Sequence, residues 1–351
     1  MSEDLRGLDS SAVATWMADH VDGLVPPVTF SLIAGGHSNL TFGAVDAAGT
    51  EYVVRRGPLG SGGGGAHDMG REHRVISALH GSIPVPRALA VCLDDSVNGT
   101  SFYVMSRVAG AVLDNVASAD AHLSDPAARR VAGKQLIDVL ADMHRVDVDA
   151  VGLGDAAKRE DFLGRQIKRF VGMWERNQTR ELPVMSALVD RVAALAPPQR
   201  HTGIVHGDYR IGNVMFDVGS DAGRLVAVLD WELWTLGDVL ADVGFVLNNW
   251  YEPGDPNPQV FMETAPTVTG DFGSRRDVIE RYADRTGFDV SAVDYYRGFQ
   301  HWRMAVLAEG VKKRYESAQM ANTDVDFDHL AQRVIDLAVL AERHLDAYAA
   351  G

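Results

Sequence analysis

The stretch "IVHGDYRIGNVMFD", residues 204–217, determines which fold and which chemistry this sequence predicts. Three polar side chains stand between two short apolar runs: His206, Asp208 and Asn213. The continuation, "NVMFDVGSDAGRLVAVLDWE", is typical of a β-hairpin, with strands near 213–217 and 224–230 around a GSDAG turn. Because that hairpin ends in Asp230, we expect all four polar groups to meet at one end of a two-stranded ribbon.

Such a set of side chains suits phosphoryl transfer. Mg²⁺ prefers hard oxygen ligands and takes few of them from protein, so Asn213 and Asp230 are candidate metal ligands. Asp208 is then available to accept a proton from a substrate hydroxyl and orient it for in-line attack. The five-residue spacing from Asp208 to Asn213 matches the catalytic loop of protein kinases. The alternative is that these residues only cap turns beside a hairpin.

The rest of the chain predicts an α+β protein of two lobes. Residues 28–56 alternate between apolar and polar side chains, which predicts a β-meander with turns at Gly35-Gly36 and Ala48-Gly49. A helix follows, capped by Asp68, and then the strand "SFYVMSRVAG". From about residue 110 helices dominate, one of them starting at Asp125-Pro126, with further helical segments at 161–196 and 290–348. We therefore expect a β-rich lobe, 1–107, and a larger helical lobe, 108–351.

The composition and charge of the chain argue against several classes of binding partner. The chain has 351 residues and a formal net charge of −15, which opposes binding to nucleic acid or to an anionic membrane. We found no apolar run of membrane-spanning length and no basic-then-apolar start, so a cytoplasmic location is expected. The single cysteine, Cys92, excludes an intrachain disulfide and a cysteine-based metal cluster, and we expect a buried, unreactive thiol.

Three stretches carry a resemblance to a known family: "HGDYRIGNVMF", "VLDWE" and "LGDVLADVGF". In them the chain resembles the aminoglycoside phosphotransferase and choline kinase-like superfamily, small-molecule kinases with a protein-kinase-like fold, over about residues 30–315. The segments "RRGPLG", "AHDMGREHRVISAL" and "FYVMSRVAG" resemble the subgroup found as bacterial stand-alone proteins and as the kinase-like domain fused to acyl-CoA dehydrogenases. The resemblance implies ATP, with GTP as the alternative, and Mg²⁺ as cofactors.

The resemblance also implies roles for individual residues. Asp208 would be the catalytic base, and Asn213 and Asp230 would bind Mg²⁺. His206 would be a buried organiser of the loop rather than a reactant. Asp242, in "GDVLADVGF", would brace the loop through hydrogen bonds to its backbone; the alternative is an exposed acid at a helix start.

The nucleotide would be held by the first lobe. The stretch "IAGGHSNLTFGAV" would fold over the phosphates and offer backbone N–H groups from a set of four residues: Gly35, Gly36, His37 and Ser38. Adenine would lie against the connector formed by Met105, Ser106 and Arg107, through backbone groups. The glycine pattern lacks the Walker spacing and a strand-to-helix GxGxxG, which argues against P-loop and Rossmann folds.

One position departs from the family. The strand "EYVVRRG" has Arg55 where a lysine is expected to reach the α- and β-phosphates. Arginine keeps the charge but is bulkier and is not equivalent to lysine. We expect Arg55 to contact the phosphates and to pair with Glu72 on the following helix. A surface arginine at a strand end, or a register shift that puts Arg56 in this role, is the alternative. The departure also raises the possibility of a pseudokinase, a nucleotide-binding module without turnover.

The acceptor should be a small molecule that offers a hydroxyl group. Asp242 follows Asp230 by only 12 positions, too few for a protein-kinase activation segment, and no APE motif occurs. Acidic residues in 248–274 would suit an aminoglycoside, or they form a solvated loop. Cationic residues on the predicted helix "RGFQHWRMAVLAEGVKKRY", namely Arg297, Arg303 and the cluster 312–314, would suit a hydroxy acid or its thioester; the alternative is that they only complement the helix dipole. The sequence does not specify the acceptor, the choice between ATP and GTP, or the oligomeric state.

Overall fold

The computed structural model describes residues 5–35, 39–59, 68–255, 265–317 and 326–351. The chain divides into two compact units. The first lies within residues 1–110 and also contains Val151–Leu153 and Val226–Leu233. The second contains Ala111–Ala150, Gly154–Leu225 and residues within 234–351. The segment Val226–Leu233, which carries Asp230, therefore belongs to the first unit although its neighbours in sequence belong to the second.

Strands and helices alternate in the first unit and helices prevail in the second. The strands are β1 Thr29–Gly35, β2 Leu40–Val45, β3 Glu51–Arg56, β4 Ala88–Cys92, β5 Phe102–Ser106, β6 Ala111–Val112, β7 Thr202–Val205, β8 Val214–Phe216, β9 Leu225–Val228 and β10 Thr235–Asp238. The helices are α1 Ser10–His20, α2 Met69–Leu79, α3 Asp95–Asn98, α4 Val116–His122, α5 Pro126–His144, α6 Phe162–Asn177, α7 Pro183–Ala194, α8 Leu240–Asn249, α9 Arg275–Thr286, α10 Val293–Glu316 and α11 Phe327–Ala350. None of the helices in the described ranges is both long and apolar enough to cross a bilayer.

The first unit is built on a five-stranded sheet in the order β1-β2-β3-β5-β4, with all neighbours antiparallel. The β-meander predicted for 28–56 is confirmed by its first three strands. Gly49 makes the predicted turn between β2 and β3: its φ is +83°, and its N–H donates to the carbonyl of Asp46 at 3.0 Å.

One face of this sheet is buried against α1. Because side chains alternate along a strand, every second residue of β2, β3 and β5 lies on that face, among them Phe42, Val54 and Val104. All three have no exposed surface, and they pack with Val13 and Met17 of α1. The opposite face carries Arg55. Cys92 is buried, as predicted, and burial raises the pKa of its thiol.

Helix α2 begins where the sequence predicts. The Asp68 side chain accepts a hydrogen bond from the N–H of Arg71 at 3.0 Å, which satisfies one of the donors left open at a helix start. The helix ends at Leu79, before Gly81. Its buried residues include Glu72, a charged side chain within an otherwise apolar face, and this exception concerns the candidate site.

The second unit packs its helices around α5, α8 and α10. Helix α5 starts with Asp125 as cap and Pro126 in its first turn, and its predicted apolar face is buried through Leu136 and Met143. The helical segment predicted at 161–196 is confirmed with a break, because Pro183 starts a new helix, α7.

Short strands complete the second unit. β7 pairs with β10, Val205 opposite Thr235, and β6 pairs with β8, Ala111 opposite Phe216. The predicted turn between β8 and β9 is closed by a hydrogen bond from the N–H of Asp217 to the carbonyl of Arg224 at 2.8 Å. The α+β class predicted from the sequence is confirmed.

Candidate active site

The loop that follows β7 turns sharply at a glycine. Gly207 has φ +84°, a left-handed conformation that favours glycine, and it separates the buried His206 from Asp208. The Nδ1 atom of His206 accepts the N–H of Asp208 at 3.3 Å. Tyr209 anchors the other side of the loop, since its hydroxyl donates to the carbonyl of Leu136 at 2.8 Å.

Asp242, at the start of α8, holds this turn from beneath. Its Oδ2 accepts the N–H of His206 at 2.6 Å, and its Oδ1 accepts the N–H of Gly207 at 2.9 Å. The carboxylate has no exposed surface and also lies 3.3 Å from Nε2 of His144. These are the backbone hydrogen bonds that the sequence predicts for Asp242. An exposed acid at a helix start is therefore the wrong alternative.

Asn213 and Asp208 are joined directly. The amide nitrogen of Asn213 donates to the Asp208 carboxylate at 2.7 Å and to its carbonyl at 2.8 Å. The five-residue spacing seen in the sequence is therefore a closed loop in the structure. Because both hydrogen bonds use the amide nitrogen, the amide oxygen is the end of Asn213 suited to a hard cation.

Arg303 of α10 brings a partly buried positive charge to the same loop. Its two Nη atoms donate to the carbonyl of Gly207, each at 3.1 Å, and its guanidinium lies over the rings of Phe170 and Phe245, at 5.7 and 5.6 Å. Burial lowers the pKa of Arg303, while the charges of Asp208 and Asp242 oppose that shift. The Gly207 carbonyl that accepts these hydrogen bonds is neutral and does not cancel the charge of Arg303. The positive charge therefore acts on the loop as a whole.

A second group of charged residues lies in the first unit, around Arg55. Its Nε donates to Glu72 of α2 at 3.0 Å, as the sequence predicts. Its Nη2 forms an ion pair with Asp230, a contact that the sequence did not predict. Burial disfavours the charge of Arg55, but the surrounding acids, Glu72 first, raise its pKa above the usual value. One guanidinium thus bridges two carboxylates.

The neighbours of Glu72 complete this Arg55 cluster. The Tyr103 hydroxyl donates to Glu72 at 3.2 Å, and the Asn39 amide donates to Glu72 at 3.4 Å and to Glu232 at 3.0 Å. Burial raises the pKa of Glu72 to about 7; Arg55 lowers it, and the negative charge of Asp230 and Glu232 adds to the rise. Glu232 stands two residues after Asp230, which is a weak signal for its place in this cluster, whereas no sequence pattern marks Tyr103 or Asn39.

Asp230 reaches Arg55 through an unusual backbone conformation. Its φ is +61°, a left-handed value that Asp tolerates better than most residues, and the 3-10 turn Trp231–Leu233 follows at once. The chain therefore bends sharply after β9, and the carboxylate, one-third exposed, lies at the bend. That the Asp230 carboxylate lies close to Asp208 and Asn213 stays a prediction.

The neighbouring arginine of β3 has a different task. Arg56 points to the opposite face of the sheet, where it is buried and bonds the carbonyls of Gly57 and Gly7. Burial lowers its pKa. The register-shifted alternative, in which Arg56 would replace Arg55 beside Glu72, is therefore wrong.

The predicted nucleotide loop is only partly described. Gly35 is the last residue of β1, whereas Gly36, His37 and Ser38 lie outside the described residues. The predicted connector has Met105 and Ser106 as the last residues of β5, and Arg107 follows them with a half-exposed side chain.

The described residues do not contain a ready-made metal centre: within them, no three His, Cys, Asp or Glu side chains form a group that could hold a metal ion. Asn213 of the second unit and Asp230 of the first each offer a hard oxygen, the donor type that Mg²⁺ takes from proteins before water and substrate phosphates complete its octahedron. That both bind one ion stays a prediction.

Two predicted substrate contacts are used within the protein. Lys312, in the cationic cluster of α10, donates to Thr179 at 2.9 Å and to Glu316 at 2.6 Å. In the acidic stretch 248–274, of which 256–264 lie outside the described residues, Glu252 and Asp255 both pair with Arg275. These charges are compensated in the described part of the chain.

The comparisons with known proteins decide the family. Residues 29–276 match the model of the phosphotransferase enzyme family named APH, for aminoglycoside phosphotransferase. The chain belongs to this family. A protein of Ralstonia eutropha solved as a candidate aminoglycoside phosphotransferase is 30% identical, with a TM-score of 0.81 over 97% of this chain and 99% of that one. The predicted superfamily and the protein-kinase-like, α+β fold class are thereby confirmed.

Two further matches concern a subgroup of relatives and the fold of this phosphotransferase-family chain. Mouse acyl-CoA dehydrogenase family member 10 is 30% identical over 82% of this chain, which spans only 26% of that relative's length. The predicted resemblance to a kinase-like part of such proteins is confirmed. An amicoumacin kinase solved with AMP-PNP, Ca²⁺ and its antibiotic has a TM-score of 0.58 at 16% identity, over 97% of this chain and 95% of that one, and shows the fold alone.

Proposed function

We propose that this member of the phosphotransferase family transfers the γ-phosphoryl group of ATP to a hydroxyl of a small metabolite, with Mg²⁺ as cofactor and GTP as the alternative donor. The observation that carries the proposal is the closed loop of Asp208 and Asn213, held by two backbone hydrogen bonds to the buried Asp242. A pre-positioned carboxylate beside an amide oxygen is the arrangement that in-line phosphoryl transfer needs.

Each residue has a role in this proposal. Asp208 accepts the proton of the acceptor hydroxyl and orients its oxygen. The oxygens of Asn213 and Asp230 hold Mg²⁺, which neutralises charge on the phosphates when bound. Arg55 contacts the α- and β-phosphates while its Nε continues to donate a hydrogen bond to Glu72. His206 and Asp242 do not react; they keep the loop in shape.

The metal assignment is tested by two isosteric or small changes. Asp230→Asn keeps a residue that tolerates a positive φ, so the loss concerns charge rather than backbone strain. We expect Asp230→Asn to lose the Mg²⁺ dependence of nucleotide binding and Asn213→Ala to weaken it, both measured by calorimetric titration with and without Mg²⁺. The control is Asp221→Asn, an exposed acid in the turn between β8 and β9. Unchanged Mg²⁺ dependence in both variants would show that the metal is held elsewhere.

We further propose that the acceptor carries a negative charge, as in a hydroxy acid or its thioester. Arg303 supports this class, because it places a partly buried cation at Gly207, next to Asp208. The same cation would repel an aminoglycoside polycation. The acids that would attract such a polycation, Glu252 and Asp255, are already paired with Arg275.

The acceptor class is tested by a screen of nucleotide consumption. Hydroxy acids, their thioesters, uncharged alcohols and aminoglycosides would be compared at equal concentration. We expect the anionic acceptors to be phosphorylated at the highest kcat/KM. Turnover of aminoglycosides alone would establish the antibiotic-resistance alternative and refute the anionic class.

One observation favours a different class of function. The ion pair of Arg55 with Asp230 occupies both a phosphate-binding group and a metal ligand, as expected of a pseudokinase whose nucleotide site is blocked. Nucleotide binding without turnover of any acceptor in the screen would establish that alternative. Single-turnover phosphoryl transfer would exclude it.

A further inference from the structure

One row of residues crosses the whole sheet of the first unit. In this row Gly43 of β2 lies opposite Ser31 of β1 and Val53 of β3, and Val53 in turn lies opposite Met105 of β5. Residues opposite one another in antiparallel strands share a face. Arg55, two positions beyond Val53 on β3, shares it too, about 7 Å further along the strand. The row thus belongs to the face that carries the proposed phosphate contact.

Gly43 is the residue of this row that has no side chain. Its backbone lies in ordinary strand geometry with no positive φ, so a glycine is not required for conformational reasons. A glycine within a strand costs stability and commonly marks a place where a ligand or another group must approach the backbone. A Cβ at this position would lie 3.1 Å from Oγ of Ser31 and 3.4 Å from Cδ1 of Ile33, so the hollow has no room for a larger side chain.

The third neighbour of that hollow is Arg107. Its Nη1 lies 3.5 Å from the position of a Cβ at Gly43, so a side chain at Gly43 would be in contact with the guanidinium. Its Nε lies 3.7 Å from Glu51, and 43% of its side chain is exposed. Ile33, at the edge of the same hollow, is 46% exposed. A partly exposed guanidinium therefore lies beside the strand position at which Gly43 leaves space.

Resting on the proposed nucleotide-dependent function, we propose that the guanidinium of Arg107 is the platform on which the nucleobase stacks, and that Gly43 is present to let it lie against the sheet. An arginine plane stacks on the π-face of a purine through dispersion and cation–π attraction. Every base offers such a face, so this contact contributes affinity without choosing between adenine and guanine. The residue acts through its side chain, whereas the connector contacts expected from the sequence use the backbone.

The test separates base binding from phosphate binding. Dissociation constants for ATP, GTP and tripolyphosphate, each with Mg²⁺, are measured by calorimetry for wild type, Arg107→Ala, Gly43→Val, the double variant and the control Arg87→Ala, an exposed arginine of the same unit. We expect Arg107→Ala and Gly43→Val each to weaken ATP and GTP alike by about three- to thirtyfold, and tripolyphosphate by less than about twofold. The double variant should be no worse than Arg107→Ala, because both changes remove one platform.

The other outcomes overturn the inference. Unchanged nucleotide affinity in Arg107→Ala, an equal loss for tripolyphosphate, or a loss confined to GTP would each refute stacking by Arg107. Additive losses in the double variant would show that Gly43 acts separately from Arg107. Circular dichroism shows whether Gly43→Val is folded. If Gly43→Val does not fold, the affinities of Arg107→Ala alone still test the stacking. If wild type binds neither nucleotide nor tripolyphosphate, the proposed function falls as well.

Discussion

The two charged regions of this protein are held in different ways. In the loop after β7, the Asp208 carboxylate accepts a hydrogen bond from the Asn213 amide and lies 3.8 Å from Nε of Arg210, and the buried Asp242 accepts two backbone N–H groups. In the Arg55 cluster, one guanidinium is shared by Glu72 and Asp230, with Glu232 also close by. The loop is pre-organised, whereas the cluster has more carboxylates than cations.

This difference indicates what each region is suited to do. A carboxylate positioned by an amide donor within its own loop keeps its geometry when ligands come and go, which suits a base that must meet a hydroxyl in one orientation. A cluster with excess negative charge gains from any cation that enters and can exchange partners when a phosphate arrives. The following changes would break or sharpen the contrast.

The largest expected effect is on the pre-organised loop. Asp208→Asn keeps the shape of the side chain but removes the proton acceptor, so turnover should fall by at least about 10²-fold, the low end of general-base contributions. Nucleotide affinity should stay within a few-fold, since Asp208 is not placed on the nucleotide. Single-turnover rates and calorimetric dissociation constants measure the two. Equal rates in wild type and variant would remove Asp208 from the role of base.

The next effect is on the cluster and concerns binding rather than turnover. Arg55→Ala removes charge-assisted hydrogen bonds, each worth roughly 1.5–3 kcal/mol, so nucleotide affinity should fall by about ten- to a hundredfold. Arg55→Lys should recover most of the loss, because a lysine is expected at this position and its point charge reaches a phosphate.

The matched change for Arg55 is Glu72→Ala, which should resemble Arg55→Ala because Glu72 orients the guanidinium. All four proteins are compared at one salt concentration. If Arg55→Ala binds nucleotide as well as wild type or better, Arg55 does not contribute to phosphate binding and its ion pair with Asp230 blocks the site. That result would favour the pseudokinase alternative.

The same contrast explains what could be predicted from the sequence. The loop is encoded locally: Asp208 and Asn213 are five residues apart, and Asp68 caps a helix that starts at the next residue. Arg55 and Asp230 are separated by 175 positions, and their contact depends on how β9 bends at a positive φ. Spacing rules cannot give such a bend, because Asp occupies it only when the surrounding structure imposes it.

The burial of individual charged side chains could not be predicted from the sequence either. Glu72 was predicted as a partner of Arg55, but its nearly complete burial depends on Tyr103 and Asn39, which pattern alone does not mark. Asp242 was predicted as a brace from its family resemblance. Its position 36 residues from His206 explains why periodicity could not have placed it.

A smaller effect should follow from weakening the brace. Asp242→Asn replaces an acceptor of two backbone N–H groups by an amide that can accept only through its oxygen, leaving one buried N–H without a partner at a cost of about 1–3 kcal/mol. We expect kcat to fall by roughly tenfold with nucleotide affinity retained, measured well below the melting temperature. The control is Asp142→Asn, a half-exposed acid on α5 that pairs with Arg285. A fall in nucleotide affinity with no fall in kcat would show that Asp242 does not act through the loop.

The smallest effect concerns stability and distinguishes the cluster from the loop by its pH dependence. Burial raises the pKa of Glu72 to about 7, above its ordinary value near 4.5. The folded state then binds a proton at Glu72 more tightly than the unfolded state, so this group stabilises fully at low pH and the contribution is lost as pH rises from about 4.5 through 7. Glu72→Gln keeps the acceptor oxygen for Arg55 but cannot titrate. Its melting temperature should therefore decline less between pH 5 and pH 8 than that of wild type. Asp208→Asn serves as the comparison from the loop, and an equal decline in the melting temperatures of wild type and Glu72→Gln would show that the pKa of Glu72 is not raised in the folded protein.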